Sequence, residues 1–165
     1  MLDLVVLFAA ATSTAPAEQV QSIRVETAAP GDPDGSGITY NDPADPKMSA
    51  ARAQAKAQLP EFLQRLSSPA PDESNFVVKF DLQNTGEFIW ATDLVMENGR
   101  LTGVLANTPL HPDYRMGQRV PIPEAAIADW GYFRGNVMQG NFTTRVQLDV
   151  MAPEEAREVR QRLGW

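Results

Sequence analysis

Two runs of alternating residues, each closed by a turn, constrain this chain more than any other feature. Phe76, Val78, Phe80 and Leu82 alternate with Val77, Lys79 and Asp81, the two-residue period of a strand with one face buried. Asn84-Thr85-Gly86 turns the chain, and Phe88, Trp90, Thr92 and Leu94 then alternate against Glu87, Ile89, Ala91 and Asp93. Asn98-Gly99 follows; both positions tolerate positive φ, which makes this pair the strongest short hairpin signal in the sequence. A two-residue loop there sets Glu97 opposite Arg100 and Met96 opposite Leu101. The next strand runs from Leu101 to Asn107, with Gly103 where a neighbour approaches closely. An antiparallel meander is the expected result.

A helix precedes this sheet. Asp45-Pro46 opens it, with Asp as the capping residue and Pro at the first helical position. Met48, Ala51, Ala55, Leu59, Phe62 and Leu66 recur at steps of three and four, lining one face for a core. Arg52, Lys56 and Arg65 lie opposite. Pro60 has no N–H for the carbonyl four residues back, which predicts a kink or two short helices meeting there. Ser67 to Ser74, with two prolines, leads out of the helix.

Beyond the meander, Thr108 to Gly117 reads as a loop, and Arg119 to Ile122 as a short strand whose neighbouring prolines suit a sheet edge. Pro123 to Ala128 can form one helical turn, with Ile127 facing inward. Ile127 to Arg145 is the densest stretch of all, with one Trp, one Tyr and two Phe among three Gly. Trp130 to Phe133 and Phe142 to Leu148 read as strands around a turn at Gly135 to Gly140. Pro153-Glu154-Glu155 followed by Arg157, Arg160 and Arg162 gives a last helix, acids at its positive end and bases at its negative end.

Charge separates an arm from a body. Met1 to Asp45 holds seven acids against Arg24 alone, whereas Pro46 to Trp165 holds fourteen acids against thirteen bases. A near-neutral body beneath an acidic arm lacks the basic stripe that phosphate backbones require, which argues against nucleic acid and anionic membranes as partners. Within the arm, Leu4 to Ala11 is an apolar run followed by small-residue sites such as Ala15-Pro16-Ala17. Residues 1–17 thus read as a signal peptide with its positive front missing, or as a short buried strand. The run is far too short to span a membrane. Residues 18–44 form an acidic, Pro- and Gly-rich segment in which Ile23-Arg24-Val25 and Ile38-Thr39-Tyr40 could each add an edge strand. Asp32-Pro33-Asp34-Gly35-Ser36-Gly37 resembles the start of a calcium loop, but the twelfth position, where a bidentate Glu belongs, is Pro43; an acidic turn is the better reading. Residues 45–165 are expected to form a single domain.

Cysteine is absent, so disulfides, thiolate catalysis and cysteine zinc sites are excluded. His111 is the single histidine, which removes every site built on two imidazoles. It is the one imidazole available for base chemistry, with Asp113 near in sequence, yet no nucleophile signature accompanies it. Asp129, Trp130, Tyr132, Thr143 and Arg145 can form a pocket in which Trp130 stacks a ligand while Asp129 and Arg145 fix its polar ends. The competing reading makes Trp130 a core anchor and Asp129 a turn cap or a partner of Arg145. Asn107, before Thr108-Pro109, either presents its amide to a ligand or satisfies a loop backbone.

Several spaced motifs share a pattern: Asp45-Pro46-Lys47-Met48 leading to Leu59-Pro60-Glu61-Phe62, Asn75-Phe76 with Lys79, Phe88-Ile89-Trp90, Gly103 to Pro109, Gly117-Gln118-Arg119-Val120, Ile127-Ala128-Asp129-Trp130 and Gly140-Asn141-Phe142-Thr143. In these the chain resembles the bacterial YegJ-like family, over about Ile38 to Leu148. The resemblance implies a compact α+β domain, often in small, exported or modular bacterial proteins, and carries over no catalytic residues. The expected architecture is an N-terminal kinked helical segment on a curved antiparallel sheet of about five to six strands, with a short C-terminal helix. The expected role is a non-catalytic binding or protein-interaction module in an exported protein, periplasmic or secreted, with a cytoplasmic location as the alternative. No cofactor or metal is implied. A small hydrolase using His111 or a carboxylate pair, and a toxin-neutralising inhibitor with an acidic arm, are the competing functions.

Overall fold

The computed structural model describes residues 45–165; the signal peptide, the acidic segment, its two short strands and the acidic turn expected above lie outside the described residues. Helix α1 (Pro46–Ser67) begins as its sequence requires, with the Asp45 side chain accepting from the Lys47 N–H at 2.8 Å. It continues as one element through Pro60. Pro60 and Lys56, whose carbonyl loses its donor, are both exposed, so water satisfies the group that the ring leaves free. Met48, Ala51, Ala55, Leu59 and Phe62 are its buried residues.

Six strands follow: β1 (Glu73–Asp81), β2 (Phe88–Glu97), β3 (Arg100–Leu105), β4 (Arg119–Ile122), β5 (Ile127–Arg134) and β6 (Val137–Gly140). They form one sheet in the order β4-β3-β2-β1-β5-β6, and every neighbouring pair is antiparallel. The first three strands are the expected meander, with Glu97 opposite Arg100 and Met96 opposite Leu101, and β4 pairs beyond β3. The hairpin β5-β6 is added at the free side of β1, which places β1 near the centre. β4 is an edge strand, as its prolines require. At Gly103 an added Cβ would lie 2.8 Å from the Leu94 side chain, the close approach the glycine signalled.

Two expectations are corrected beyond β5. The turn is the pair Gly135-Asn136, and Val137–Gly140 is a strand of its own. Phe142–Leu148 is helix α2. Its β-branched residues give it the look of a strand, but Gly140 and Asn141 both take left-handed conformations, with φ of 72° and 54°, which ends β6. The buried residues Thr143, Thr144, Gln147 and Leu148 follow helical spacing. Helix α3 (Pro153–Leu163) closes the chain, with Glu154 and Glu155 in its first turn and Arg160 and Arg162 in its last.

Both faces of the sheet are covered. One carries Val78, Phe80, Ile89, Ala91 and Trp130 against Ala55, Leu59 and Phe62 of α1. On the other, Phe133 and Met138 pack with Leu148 of α2 and Ala156, Val159 and Leu163 of α3. Val77 and Lys79, which alternation alone would turn toward solvent, are also buried, Val77 in a separate cluster with Trp90 and Ala106.

Candidate functional site

Asp129 and Trp130 are adjacent on β5 and point to opposite faces of the sheet, since neighbouring strand residues alternate. Trp130 enters the α1 side. Its ring stacks on Phe62 with centroids 5.0 Å apart and meets Phe142 edge-on at 5.3 Å. Its indole N–H donates to the Ala55 carbonyl at 2.8 Å, satisfying the one polar group that burying a Trp strands. Tyr132 follows on the same face and stacks on Phe76 at 5.0 Å.

Asp129 is fully buried. Its Oδ1 accepts from the N–H groups of Trp130 (2.8 Å) and Phe142 (3.2 Å). Its Oδ2 accepts from the N–H (2.7 Å) and the hydroxyl (2.5 Å) of Thr143. The carboxylate therefore satisfies the free N–H groups at the start of α2, the work a capping residue does from within the chain. Burial pushes the Asp129 carboxyl up from its ordinary range, opposed by the Thr143 and Trp130 hydrogen bonds and by the charge of Lys79. Arg145 is not its partner: the guanidinium lies 3.7 Å over the Trp165 ring, and its Nε donates to the Gly140 carbonyl.

Of the residues singled out in the sequence, Asp129 and Thr143 thus meet directly, Trp130 and Tyr132 share the opposite face, and Arg145 stands apart at the C-terminus. Asn107 is buried, its Oδ1 accepting from the Trp90 N–H at 3.3 Å. It takes the place of a ladder partner where β3 has ended. His111 sits in the loop after β3, its Nδ1 accepting from the Asp113 N–H and its ring edge-on to Tyr114. Among the described residues no three carboxylate or imidazole groups gather in a way that would hold a metal.

A polar cleft of about 180 Å³ opens between α1 and β5, lined by Gln58, Glu61, Arg65, Trp130, Tyr132 and Arg134, among others. Two of these residues, Arg65 and Arg134, are held by Glu73, whose side chain is 1% exposed. One Glu73 oxygen accepts from Arg65 at 2.7 Å and from Arg134 at 2.9 Å, and the other accepts from the Ala70 N–H. Arg134 also donates to the Tyr132 hydroxyl at 3.1 Å. The Arg134 hydrogen bond, the Ala70 N–H and Arg65 hold the Glu73 carboxyl below the ordinary carboxylate range, against the effect of burial. A shared carboxylate thus fixes two guanidiniums side by side at the rim of an aromatic wall. Sequence reading missed Arg65, Glu73 and Arg134 as a group. They lie on α1, β1 and β5, and only the pairing of Glu73 with Arg134 across β1-β5 brings them together.

The matching family model is the one described as "Uncharacterized protein conserved in bacteria (DUF2314)", and it covers residues 45–165. The chain belongs to this family. It is similar to the uncharacterized protein YegJ of Escherichia coli (strain K12), with 32% identity over 119 residues, which is 70% of this chain and 76% of the relative. No solved structure matches. The YegJ-like assignment drawn from the spaced motifs therefore holds, as does the α+β class. Among the described residues no helix of this DUF2314 chain is long and apolar enough to cross a membrane.

Proposed function

We propose that this DUF2314 chain is a non-catalytic binding module of an exported bacterial protein, and that its ligand enters the cleft between α1 and β5. The observation that carries this reading is the pair of guanidiniums anchored on buried Glu73 beside the Tyr132 hydroxyl. Arg134 stays partly exposed and spends only one of its Nη atoms on these contacts, so donors remain for an incoming acceptor. Trp130 and Tyr132, both largely buried, reach the cleft only at their margins, and Gln58 and Glu61 add an amide and a carboxylate, so the cleft suits a polar ligand. Nothing in the cleft pairs a nucleophile with a base, which favours binding over turnover.

The test is retention of small molecules from a periplasmic extract by the full chain, read by native mass spectrometry. A compound held by the wild type and lost from Arg134→Gln supports the reading; no retained compound, or equal retention by the variant, overturns it. Export has a separate check in cell fractionation: a cytoplasmic protein that keeps Met1 would rule it out.

A further inference from the structure

The register places three side chains in one row across the face opposite the Trp130 core. Trp90 on β2 and Asp129 on β5 are both the Cα partners of Lys79 on β1. Lys79 is only 8% exposed. Its ammonium lies 5.7 Å from the centre of the Trp90 ring and makes no hydrogen bond or ion pair within 4 Å among the described residues. Asp129 does not fill that role, because each of its oxygens already accepts two hydrogen bonds.

A second cation stands beside the first. Phe88 precedes Trp90 by two positions on β2 and so shares its face, about 7 Å along the strand. The Arg52 guanidinium of α1 lies 4.4 Å over the Phe88 ring, and it too has no acceptor among the described residues. Burial lowers the Lys79 pKa to about 8; Asp129 opposes the shift and Arg52 adds to it. Each cation thus lies over an aromatic ring of the same strand, and neither has a hydrogen-bond acceptor among the described residues. The Lys79 ammonium is desolvated in large part, and an anion that paired with it would offset that cost.

We propose that Lys79 and Arg52 form a binding site for a small anion, a carboxylate or phosphate group, seated over the rings of Trp90 and Phe88. Arg52 and Phe88 are half-buried whereas Lys79 and Trp90 are buried, so the anion enters at the Arg52 end and its charge meets the ammonium at the inner end. A guanidinium presents a planar fork to such a group and an ammonium a point charge, and both bonds are charge-assisted. This site is separate from the Arg65–Arg134 cleft and lies on the opposite side of β1.

The test is thermal unfolding and calorimetric titration of the full chain with sodium phosphate and with sodium acetate, each against sodium chloride at equal ionic strength. In the wild type at least one of the two anions raises Tm beyond chloride, and the stronger one names the group. Arg52→Gln and Lys79→Met each weaken that anion by about tenfold or more, the loss of one charge-assisted bond, while Arg134→Gln leaves it unchanged. No anion-specific shift in the wild type overturns the proposal, and so does an unaltered response in Arg52→Gln. Because Arg52 is half-buried and makes no hydrogen bond, that variant remains a valid test even where Lys79→Met fails to fold.

Discussion

Four donors converge on Asp129, and each would be stranded by losing it, because the Thr143 and Phe142 N–H groups lie at the buried start of α2 with no second acceptor. Asp129→Asn keeps the shape but substitutes an amide donor for one accepting oxygen. It is expected to cost about 2–4 kcal/mol in urea unfolding, because buried donors that met a carboxylate oxygen lose their acceptor. Lys79 gives a pH signature of its own. Its folded pKa, about 8, lies below the ordinary 10.5, so between those values the unfolded chain binds more protons and stability rises with pH. Lys79→Met removes this dependence. The stability of the variant relative to wild type should fall by up to roughly 3 kcal/mol as pH rises from 8 toward 10.5; a pH-independent difference in unfolding midpoints would falsify the buried-ammonium account. Neither role was legible in the residues alone. Lys79 looks like the polar half of an alternating strand until the register sets it between buried Trp90 and Asp129, and Asp129 resembles a ligand contact until α2 is found to begin beside it.

At the level of elements, several features are legible because two or three adjacent residues decide them. The Asp45-Pro46 opening, the Asn98-Gly99 hairpin and the proline-bounded edge strand β4 each depend on two or three adjacent residues. The stretch 142–148 failed that test because Thr143, Thr144 and Val146 favour a strand, and the deciding contact comes from Asp129, outside the segment. Gly140 makes the same point through space. A Cβ there would overlap the Trp130 carbonyl oxygen and come within 2.6 Å of the Trp130 ring, at a φ of +72°. Gly140→Ala should therefore destabilise by about 3 kcal/mol or more, through strain added to a backbone clash, measurable as a lowered urea midpoint with unchanged slope. Pro60 predicts the reverse. It is exposed inside α1, so Pro60→Ala restores one N–H donor and should stabilise by about 1–3 kcal/mol. A loss of stability on that change would mean that the bend favoured by the ring is needed to seat α1 against Trp130 and Phe62.

For the whole molecule, the six described strands and the described helices lie within residues 45–165, which is also the extent of the DUF2314 match. A fragment of those residues is accordingly expected to unfold in one cooperative transition, with a midpoint within a few degrees of the full chain. Charge distinguishes the two. Removing residues 1–44 takes away six acids and one base, and leaves fifteen acids against thirteen bases. The full chain, at a formal -7, repels its own copies; the fragment is close to neutral and loses that protection. Light scattering at low salt near pH 7 should therefore find the full chain monodisperse and the fragment self-associating. The difference should close as the pH is raised and the fragment gains net negative charge. If the fragment instead stays monodisperse throughout, the acidic segment has no role in solubility, and its charge would have to be explained by a partner that reads it.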